Sequence, residues 1–266
     1  MKKSLCLLLL TLFILSCQSD NKKVTASTNE INKTELDIKN LNKVIVSDLN
    51  KNNETENFFE LIAEEETSID FINKVNVDEY KNFKSYPQIY NGAGVSVGDI
   101  NNDGLPDIYL AGNSVKDRLY LNKGNFKFKD ITEESGIGKE NYGWSFGVNM
   151  IDINADGYLD IYVCKAGPYK EEKYLRNRLF INNGDGTFNE EAQKYGLNVL
   201  GFSVQSAFFD YDLDGDLDIY IANHPPTEVK KGGAKNLTKL VDEIKKGILR
   251  TDEFYENVNG KFINKI

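Results

Sequence analysis

Aspartate and asparagine recur three times along this chain of 266 residues in one fixed spacing. The motif begins at Asp99, Asp152 and Asp210 and reads DINNDGLPD, DINADGYLD and DYDLDGDLD. Oxygen-bearing side chains stand at positions 1, 3, 5 and 9 of each copy, and glycine stands at position 6. A hard cation such as Ca2+ requires several oxygen ligands on a sharply turning loop, to which a main-chain carbonyl at position 7 adds one more. The motifs therefore predict three calcium-binding loops.

The segments on both sides of each loop are short and apolar. GVSVGD, GVNMID and SAFFD lead into the loops, and the residues from position 9 onward read DIYLAG, DIYVCK and DIYIAN. β-Branched and aromatic residues of this kind favour strands. The pattern differs from an EF-hand, which lies between helices and has glutamate at position 12, where this chain has Leu110, Val163 and Ile221. Each loop is therefore predicted to join two strands of a hairpin.

A second hairpin follows each loop hairpin. LYLNKGNFKFKDITEESGI, LFINNGDGTFNEEAQKYGL and FYENVNGKFINKI each read as strand, Asn/Gly turn and strand. Four strands per repeat and the spacing of the motifs predict an all-β fold made of β-propeller blades. The predicted blades cover approximately residues 90–137, 142–197 and 201–266. Tyr109, Tyr162 and Tyr220 recur at one position of the repeat, so we expect them to pack between blades.

These repeats resemble a known family. The DxNxDGxxD loops resemble the FG-GAP or VCBS repeats of integrin α-chain propellers, and the phrases YNGAGVSVGDINNDGLPDIYLAGN, LYLNKGNFKFKDIT and AFFDYDLDGDLDIYIANHP resemble bacterial lipoproteins of the cartilage-acidic-protein (ASPIC/UnbV) group. The resemblance covers roughly residues 58–266, and the segment from Phe58 resembles the family's opening strand. It implies calcium bound within the blades by the side chains of Asp99, Asn101, Asp103, Asp107, Asp152, Asn154, Asp156, Asp160, Asp210, Asp212, Asp214 and Asp218. It also implies main-chain carbonyl ligands at Leu105, Tyr158 and Asp216.

The number of repeats is small for a closed ring. A propeller needs at least four blades to close and to protect its sheet edges. This chain has three recognisable repeats, and the third stops at Ile266 before the SGI or YGL ending of the other two. Two interpretations remain open. The favoured one is a fragment of a longer protein, and the other is an open arc whose edges require missing blades or a partner chain.

The N-terminus has the features of a lipoprotein signal. Residues 1–3 carry positive charge, residues 5–15 form an apolar core shorter than a typical membrane span, and the sequence ILSC ending at Cys17 resembles a lipobox. We predict a signal peptide over residues 1–16, lipidation of Cys17 and a flexible tether over residues 17–57. The alternative is an ordinary secretory signal with an incidental cysteine. The predicted location is the cell envelope, in the outer membrane of a Gram-negative bacterium on its periplasmic or surface side.

Charge and side-chain chemistry bound the function. The formal net charge is -9, and the acidic residues concentrate in the three motifs, which argues against nucleic acid as a partner. The loops contain no nucleophile or acid–base pair, so we predict a scaffold that binds glycan or protein rather than an enzyme. One alternative is a structural repeat segment whose activity lies in C-terminal domains. A less favoured alternative is an enzyme acting on polysaccharide.

Overall fold

Three antiparallel sheets make up the repeat region. The computed structural model describes residues 59–79, 81–84, 86–139, 142–169, 171–224 and 252–266, and Leu61–Ile266 form one compact unit. The first sheet consists of β1 (Val95–Gly98), β2 (Asp107–Leu110), β3 (Arg118–Asn122) and β4 (Phe128–Asp130). The second consists of β5 (Trp144–Ile151), β6 (Asp160–Ala166), β7 (Arg178–Asn182) and β8 (Phe188–Glu190). The third consists of β9 (Ser203–Phe209), β10 (Asp218–Asn223), β11 (Glu253–Val258) and β12 (Lys261–Asn264).

Each sheet is a meander in which the strands pair in chain order. The hairpins β1–β2, β5–β6 and β9–β10 enclose the three aspartate motifs, as predicted. This arrangement confirms the all-β architecture of four-stranded propeller blades, which we call blades 1, 2 and 3. The three blades of the described chain do not close into a ring.

Helical structure is brief within the described residues. α1 covers Glu64–Thr67, α2 covers Ala192–Tyr195, and 3-10 turns cover Pro87–Tyr90, Ile137–Lys139 and Glu172–Tyr174. Residues 59–79 contain α1 and no strand, so the prediction of an opening strand there is wrong. The Ala63 carbonyl accepts the N–H groups of Glu66 and Thr67, so this main chain forms a helical turn. No described helix combines the length and apolar composition needed to cross a membrane.

The apolar core lies mainly between neighbouring blades. One cluster joins Ile100, Tyr109 and Leu119 of blade 1 to Val148, Ile161 and Val163 of blade 2. Another joins Tyr162 and Leu179 of blade 2 to Ile219, Ile221 and Tyr255 of blade 3. Tyr109 and Tyr162 are fully buried, as predicted for residues that pack between blades. Tyr220 of blade 3 is 36% exposed, because no further blade of the described chain follows it.

The first strands of the blades lie side by side. The Gly94 N–H donates to the Phe146 carbonyl at 2.8 Å, and the Met150 N–H donates to Ser96 Oγ at 3.1 Å. A side chain at Gly94 would collide with the Phe146 main chain, so glycine permits this close approach. These two hydrogen bonds fix blade 2 against blade 1.

A buried polar cluster also joins blades 1 and 2. The Lys165 ammonium and the Asp117 carboxylate lie 3.4 Å apart, and each side chain is only 2% exposed. The carboxylate accepts hydrogen bonds from the hydroxyls of Tyr109 and Ser145 at 2.8 and 2.9 Å and from the Gly112 N–H at 2.7 Å. Lys165 Nζ donates to Ser145 Oγ at 2.6 Å. Desolvation lowers the pKa of Lys165, and the neighbouring Asp117 charge opposes this effect.

Candidate metal centres

The three motif loops share one main-chain conformation. The residue at position 4 is left-handed in each loop, with φ of 58° at Asn102, 56° at Ala155 and 64° at Leu213. The glycine at position 6 is also left-handed, with φ of 84° at Gly104, 89° at Gly157 and 97° at Gly215. Glycine adopts this region without the steric cost that a Cβ brings. The repeated glycine is thus explained by the sharp turn, as the sequence predicts.

The aspartate at position 1 organises the loop around its carboxylate. In the first loop, Asp99 accepts the N–H of Asp103 on Oδ1 at 3.1 Å and the N–H of Gly104 on Oδ2 at 2.7 Å. The second loop repeats both bonds around Asp152 at 3.0 and 2.8 Å. The third loop keeps the second bond, from Gly215 to Asp210, at 3.2 Å. The side chain at position 1 therefore faces the concave side of each turn.

Position 3 distinguishes the third loop from the other two. Asn101 donates its amide to Asp103 Oδ2 at 2.9 Å, and Asn154 makes the equivalent bond to Asp156 at 2.9 Å. The third loop has Asp212 at this position, and a carboxylate cannot donate such a bond. The carboxylates of the first two loops are therefore partly satisfied by an internal amide that the third loop lacks.

The third loop brings carboxylate oxygens together without donors for all of them. One carboxylate oxygen from each of Asp210, Asp212 and Asp218 lies within 4.8 Å of the others. Oδ1 of Asp210 and Oδ1 of Asp216 are buried and accept no hydrogen bond. Buried acceptors without a donor are unfavourable unless a cation or water satisfies them. The carboxylate oxygens of this loop are ligands of the kind that a hard cation requires.

The aspartate at position 9 holds each loop to the third strand of its blade. Asp107, Asp160 and Asp218 are at most 1% exposed. Asp160 accepts the N–H of Ile153 at 3.1 Å and the N–H of Asn182 at 2.8 Å. Asp107 and Asp218 make the same pair of bonds in their own blades, at 2.7 to 3.0 Å. Besides its predicted ligand role, this residue thus has a clear structural one.

Burial and like charges shape the acidity of these carboxyl groups. Burial raises the pKa of Asp160 to about 6, against the lowering effect of the main-chain hydrogen bonds from Asn182 and Ile153. Desolvation also raises the pKa of Asp216, and the charge of Asp214 adds to it. Both shifts arise from negative charge held close together or away from water, which a bound cation would relieve.

Three asparagines on the third strands support the loops, although the sequence analysis did not single them out. Asn122, Asn182 and Asn257 donate their N–H groups to the aspartate at position 9. The Asn182 side chain also donates to the carbonyls of Leu159 and Ile100, at 3.1 and 2.8 Å, and so links blade 2 to blade 1. The recurrence of asparagine in LYLN, LFIN and FYEN was the signal available in the sequence.

All of the predicted metal ligands lie among the described residues. The side chains at positions 1, 3 and 5 stand on exposed turns in loops 1 and 2, while the carbonyl ligands at Leu105, Tyr158 and Asp216 remain predictions. Cys17, the signal peptide and the tether lie outside the described residues.

Comparison with known proteins agrees with this geometry. The family model for the FG-GAP-like repeat matches residues 99–163 and 172–221, which include all three aspartate loops. The chain contains FG-GAP-like repeats. The first stretch runs from position 1 of the first loop into β6, and the second runs from the segment before β7 into β10, so the match includes parts of all three blades.

The FG-GAP-like region is also similar to parts of much longer animal proteins. Cartilage acidic protein 1 of Xenopus tropicalis is 32% identical over 137 residues, which cover 50% of this chain and 20% of that protein. Integrin alpha-8 of Gallus gallus is 30% identical over 185 residues, covering 62% of this chain and 17% of that protein. Integrin alpha-4 of Xenopus laevis is 30% identical over 152 residues, which cover 50% of this chain and 14% of that protein. The chain thus spans about a fifth or less of these relatives.

Neighbouring loops are joined differently along the row of blades. Asn102 of the first loop donates its amide to the Gly157 carbonyl of the second loop at 2.9 Å. Ala155 takes the equivalent position in the second loop and has no amide to reach the third. A cleft of about 400 Å3 lies there instead, lined by Asp152, Asn154, Lys194, Tyr195, Gly215 and Asp216 among others. Loops 2 and 3 therefore form two walls of one cleft.

Proposed function

We propose that the chain is a calcium-binding scaffold of the cell envelope, anchored to the membrane by a lipid at Cys17, which binds a glycan or protein. The observation that carries the proposal is the third loop, where two buried carboxylate oxygens accept no hydrogen bond. Similarity to the integrin alpha chains and to cartilage acidic protein 1 supports a repeat scaffold for binding or adhesion.

Calcium suits the chemistry of the loops better than a softer metal. Every proposed ligand is an oxygen, and no described histidine or cysteine stands in the motifs. Three Ca2+ ions would add six positive charges, which offset more than half of the formal charge of -9. When bound, each ion would neutralise crowded carboxylates and tie the turn between two strands. The side chains at positions 1, 3, 5 and 9 would hold it.

The cleft between loops 2 and 3 supports a binding role. Tyr195 offers an aromatic ring and Lys194 a cation that is 69% exposed, although Lys194 also pairs with Glu191 at 2.6 Å. Aromatic rings and flanking polar groups are common in sites that recognise sugars and peptides. We place the glycan or protein ligand at this cleft.

The polar cluster around Lys165 does not favour an enzyme. Ser145 Oγ lies 2.6 Å from Lys165 Nζ, a spacing at which a lysine could activate a serine. Both residues are at most 2% exposed, however, so a substrate has no access to them. This cluster therefore stabilises the joint between blades, and the binding scaffold remains the function we propose.

The calcium loops are tested by titration of the purified chain with Ca2+ in a calorimeter. We expect three bound ions with dissociation constants of about 10⁻⁴ to 10⁻³ M, the range of extracellular modules. Asp156→Ala should reduce the number to two, because it removes one ligand of the second loop. Asp185→Ala, which removes an exposed turn carboxylate outside the motifs, should leave it at three. Absence of calcium binding by the unsubstituted chain would overturn the proposal.

The anchor is tested separately in cells that express the chain. Cys17→Ala should move the protein from the membrane fraction to the soluble fraction, because the predicted lipid can no longer be attached. Cys164→Ala, which changes a buried cysteine within β6, is the matched control and should leave the protein in the membrane fraction. Continued membrane association of Cys17→Ala would refute the lipid anchor and leave the calcium loops untouched.

A further inference from the structure

Side-chain amides join loop 1 to blade 2. The exposed Asn102 amide donates to the Gly157 carbonyl at 2.9 Å. The buried Asn182 amide donates to the Ile100 carbonyl at 2.8 Å. Gly157 is position 6 of loop 2, and Ile100 is position 2 of loop 1. Each bond therefore ties main chain beside the predicted ligands of one loop to the neighbouring blade.

The buried bond belongs to a chain of contacts between two aspartates at position 9. The Ile100 N–H donates to Asp107 at 3.0 Å, and the Ile100 carbonyl accepts the Asn182 amide. The Asn182 N–H donates in turn to Asp160 at 2.8 Å. Asp107 and Asp160 are predicted ligands of loops 1 and 2. The main chain of one isoleucine and one asparagine thus connect a ligand of loop 1 to a ligand of loop 2.

The exposed bond connects the two turns themselves. Asn102 lies between the predicted ligands at positions 3 and 5 of loop 1, and Gly157 lies between those at positions 5 and 7 of loop 2. Both residues are left-handed, with φ of 58° and 89°. When one turn is held in this conformation, the hydrogen bond therefore helps to hold the turn of its neighbour.

Within the described chain, loops 2 and 3 have neither connection. Ala155 takes the place of Asn102 and has no amide. Asn257 takes the place of Asn182, and its side chain accepts the Gly260 N–H of its own blade at 2.9 Å. Ala155 and Asn257 both line the cleft that separates these loops. The described loops thus comprise a connected pair, loops 1 and 2, and a separated pair, loops 2 and 3.

We propose that loops 1 and 2 bind cations cooperatively, with Asn182 and Asn102 as positioning residues, and that loop 3 binds independently. This inference rests on the proposed calcium loops and adds how they depend on one another. A loop that is already held in place loses less conformational freedom on binding, so ordering one loop favours its neighbour. Such coupling is reciprocal, and we expect about fivefold in affinity, the lower end of typical coupling between sites. Blades 1 and 2 should therefore stiffen together over a narrow range of calcium concentration.

Hydrogen–deuterium exchange of the full chain over a calcium series tests the coupling, because mass spectrometry resolves peptides from each loop. Asp103→Ala removes a ligand of loop 1 and should raise the calcium midpoint of loop 2 about fivefold, while the midpoint of loop 3 stays unchanged. Asp156→Ala should raise the midpoint of loop 1 by the same factor. Each variant is compared with its own exchange in EDTA, so that a structural change without calcium is not counted as coupling.

The positioning role is tested by removing the amides. Asn182→Ala and Asn102→Ala should each at least halve the coupling factor, which is measured again by adding Asp103→Ala. Asn257→Ala removes the equivalent side chain of blade 3 and is the matched control, which should leave the factor unchanged. In EDTA, Asn102→Ala should speed exchange in loop 2 and not in loop 3, a result that needs no bound ion. Asn102→Ala keeps the test open if Asn182→Ala fails to fold, because Asn102 is exposed and loop 2 has alanine at this position.

Three results would overturn the inference while the calcium sites stand. The first is an unchanged midpoint of loop 2 in Asp103→Ala, which would mean that loops 1 and 2 bind independently. The second is an equal shift at loop 3, which would mean that overall stability connects the loops. The third is an undiminished coupling factor in Asn182→Ala and Asn102→Ala, which would refute their positioning role. Exchange that is indifferent to calcium in every loop would overturn the proposed calcium sites as well.

Discussion

Removal of the Asp117 carboxylate is expected to destabilise the protein more than any surface change. In Asp117→Ala, the Lys165 ammonium stays buried without its counter-charge, and Tyr109 and Gly112 lose the acceptor of their hydrogen bonds. Breaking a buried ion pair costs about 3 to 5 kcal/mol, and the lost hydrogen bonds belong to the same network. We expect the free energy of unfolding to fall by about 4 kcal/mol.

A second substitution separates the stranded charge from the lost contacts. Asp117→Ala/Lys165→Met replaces the buried ammonium by an apolar side chain of similar length, so it should recover about 2 kcal/mol relative to Asp117→Ala. Lys116→Ala is the matched control, because its pair with Glu133 is 52% and 69% exposed and is worth below about 1 kcal/mol.

Urea unfolding followed by circular dichroism measures five proteins: the unsubstituted chain, the single variants Asp117→Ala, Lys165→Met and Lys116→Ala, and the double variant. If the free-energy change of the double variant equals the sum of the changes in Asp117→Ala and Lys165→Met, the attraction between the two buried charges does not contribute to stability. If Asp117→Ala is as stable as Lys116→Ala, the polar cluster does not make the main polar contribution to the joint between blades 1 and 2.

Two further results are expected. Gly157→Val should lower the free energy of unfolding by about 1 to 2 kcal/mol and weaken one calcium site, because valine resists the φ of 89° at this position. No atom lies within 4 Å of an added Cβ, so the loss comes from main-chain strain and not from a steric clash. The control is Gly186→Val, at φ of 84° in equally open space, which should lose similar stability but keep every calcium site. Normal melting of Gly157→Val would contradict the loop geometry. Burial raises the pKa of Cys164 to about 12, so iodoacetamide at pH 8 should modify this cysteine only after denaturation. Peptide mass mapping detects the modification. Rapid labelling of the native protein at Cys164 would contradict its burial.

The sequence could predict the blades because each one repeats a strong local pattern. Alternating apolar residues and Asn/Gly turns specify strands and hairpins from neighbouring residues alone, and all three sheets follow them. The positive φ at Gly157 could be predicted for the same reason, since a sharp oxygen-lined turn requires it. Local chemistry therefore accounted for the elements and for the shape of the motif loops.

Features that depend on neighbouring blades could not be predicted from one repeat. Lys165 follows an apolar run, and nothing beside it in sequence shows that Asp117 of another blade will neutralise it. The same holds for Tyr220, which has the sequence context of Tyr109 and Tyr162 but is 36% exposed among the described residues. The strand expected near Phe58 failed because a strand needs a pairing partner, whereas the turn at Ala63 satisfies its own main chain.

The meander within each blade has a consequence for how the chain folds. Every strand pairs with its neighbour in sequence, so the sheet of residues 95–130 can complete its hydrogen bonds before the later strands are synthesised. Contacts between residues close in sequence form quickly, and domains can fold from the N-terminus during synthesis. In blade 3, residues 224–252 separate β10 from β11, so closing this sheet costs more chain entropy than closing the other two. Blade 3 should consequently be the last to fold, on a surface that blade 2 has already formed.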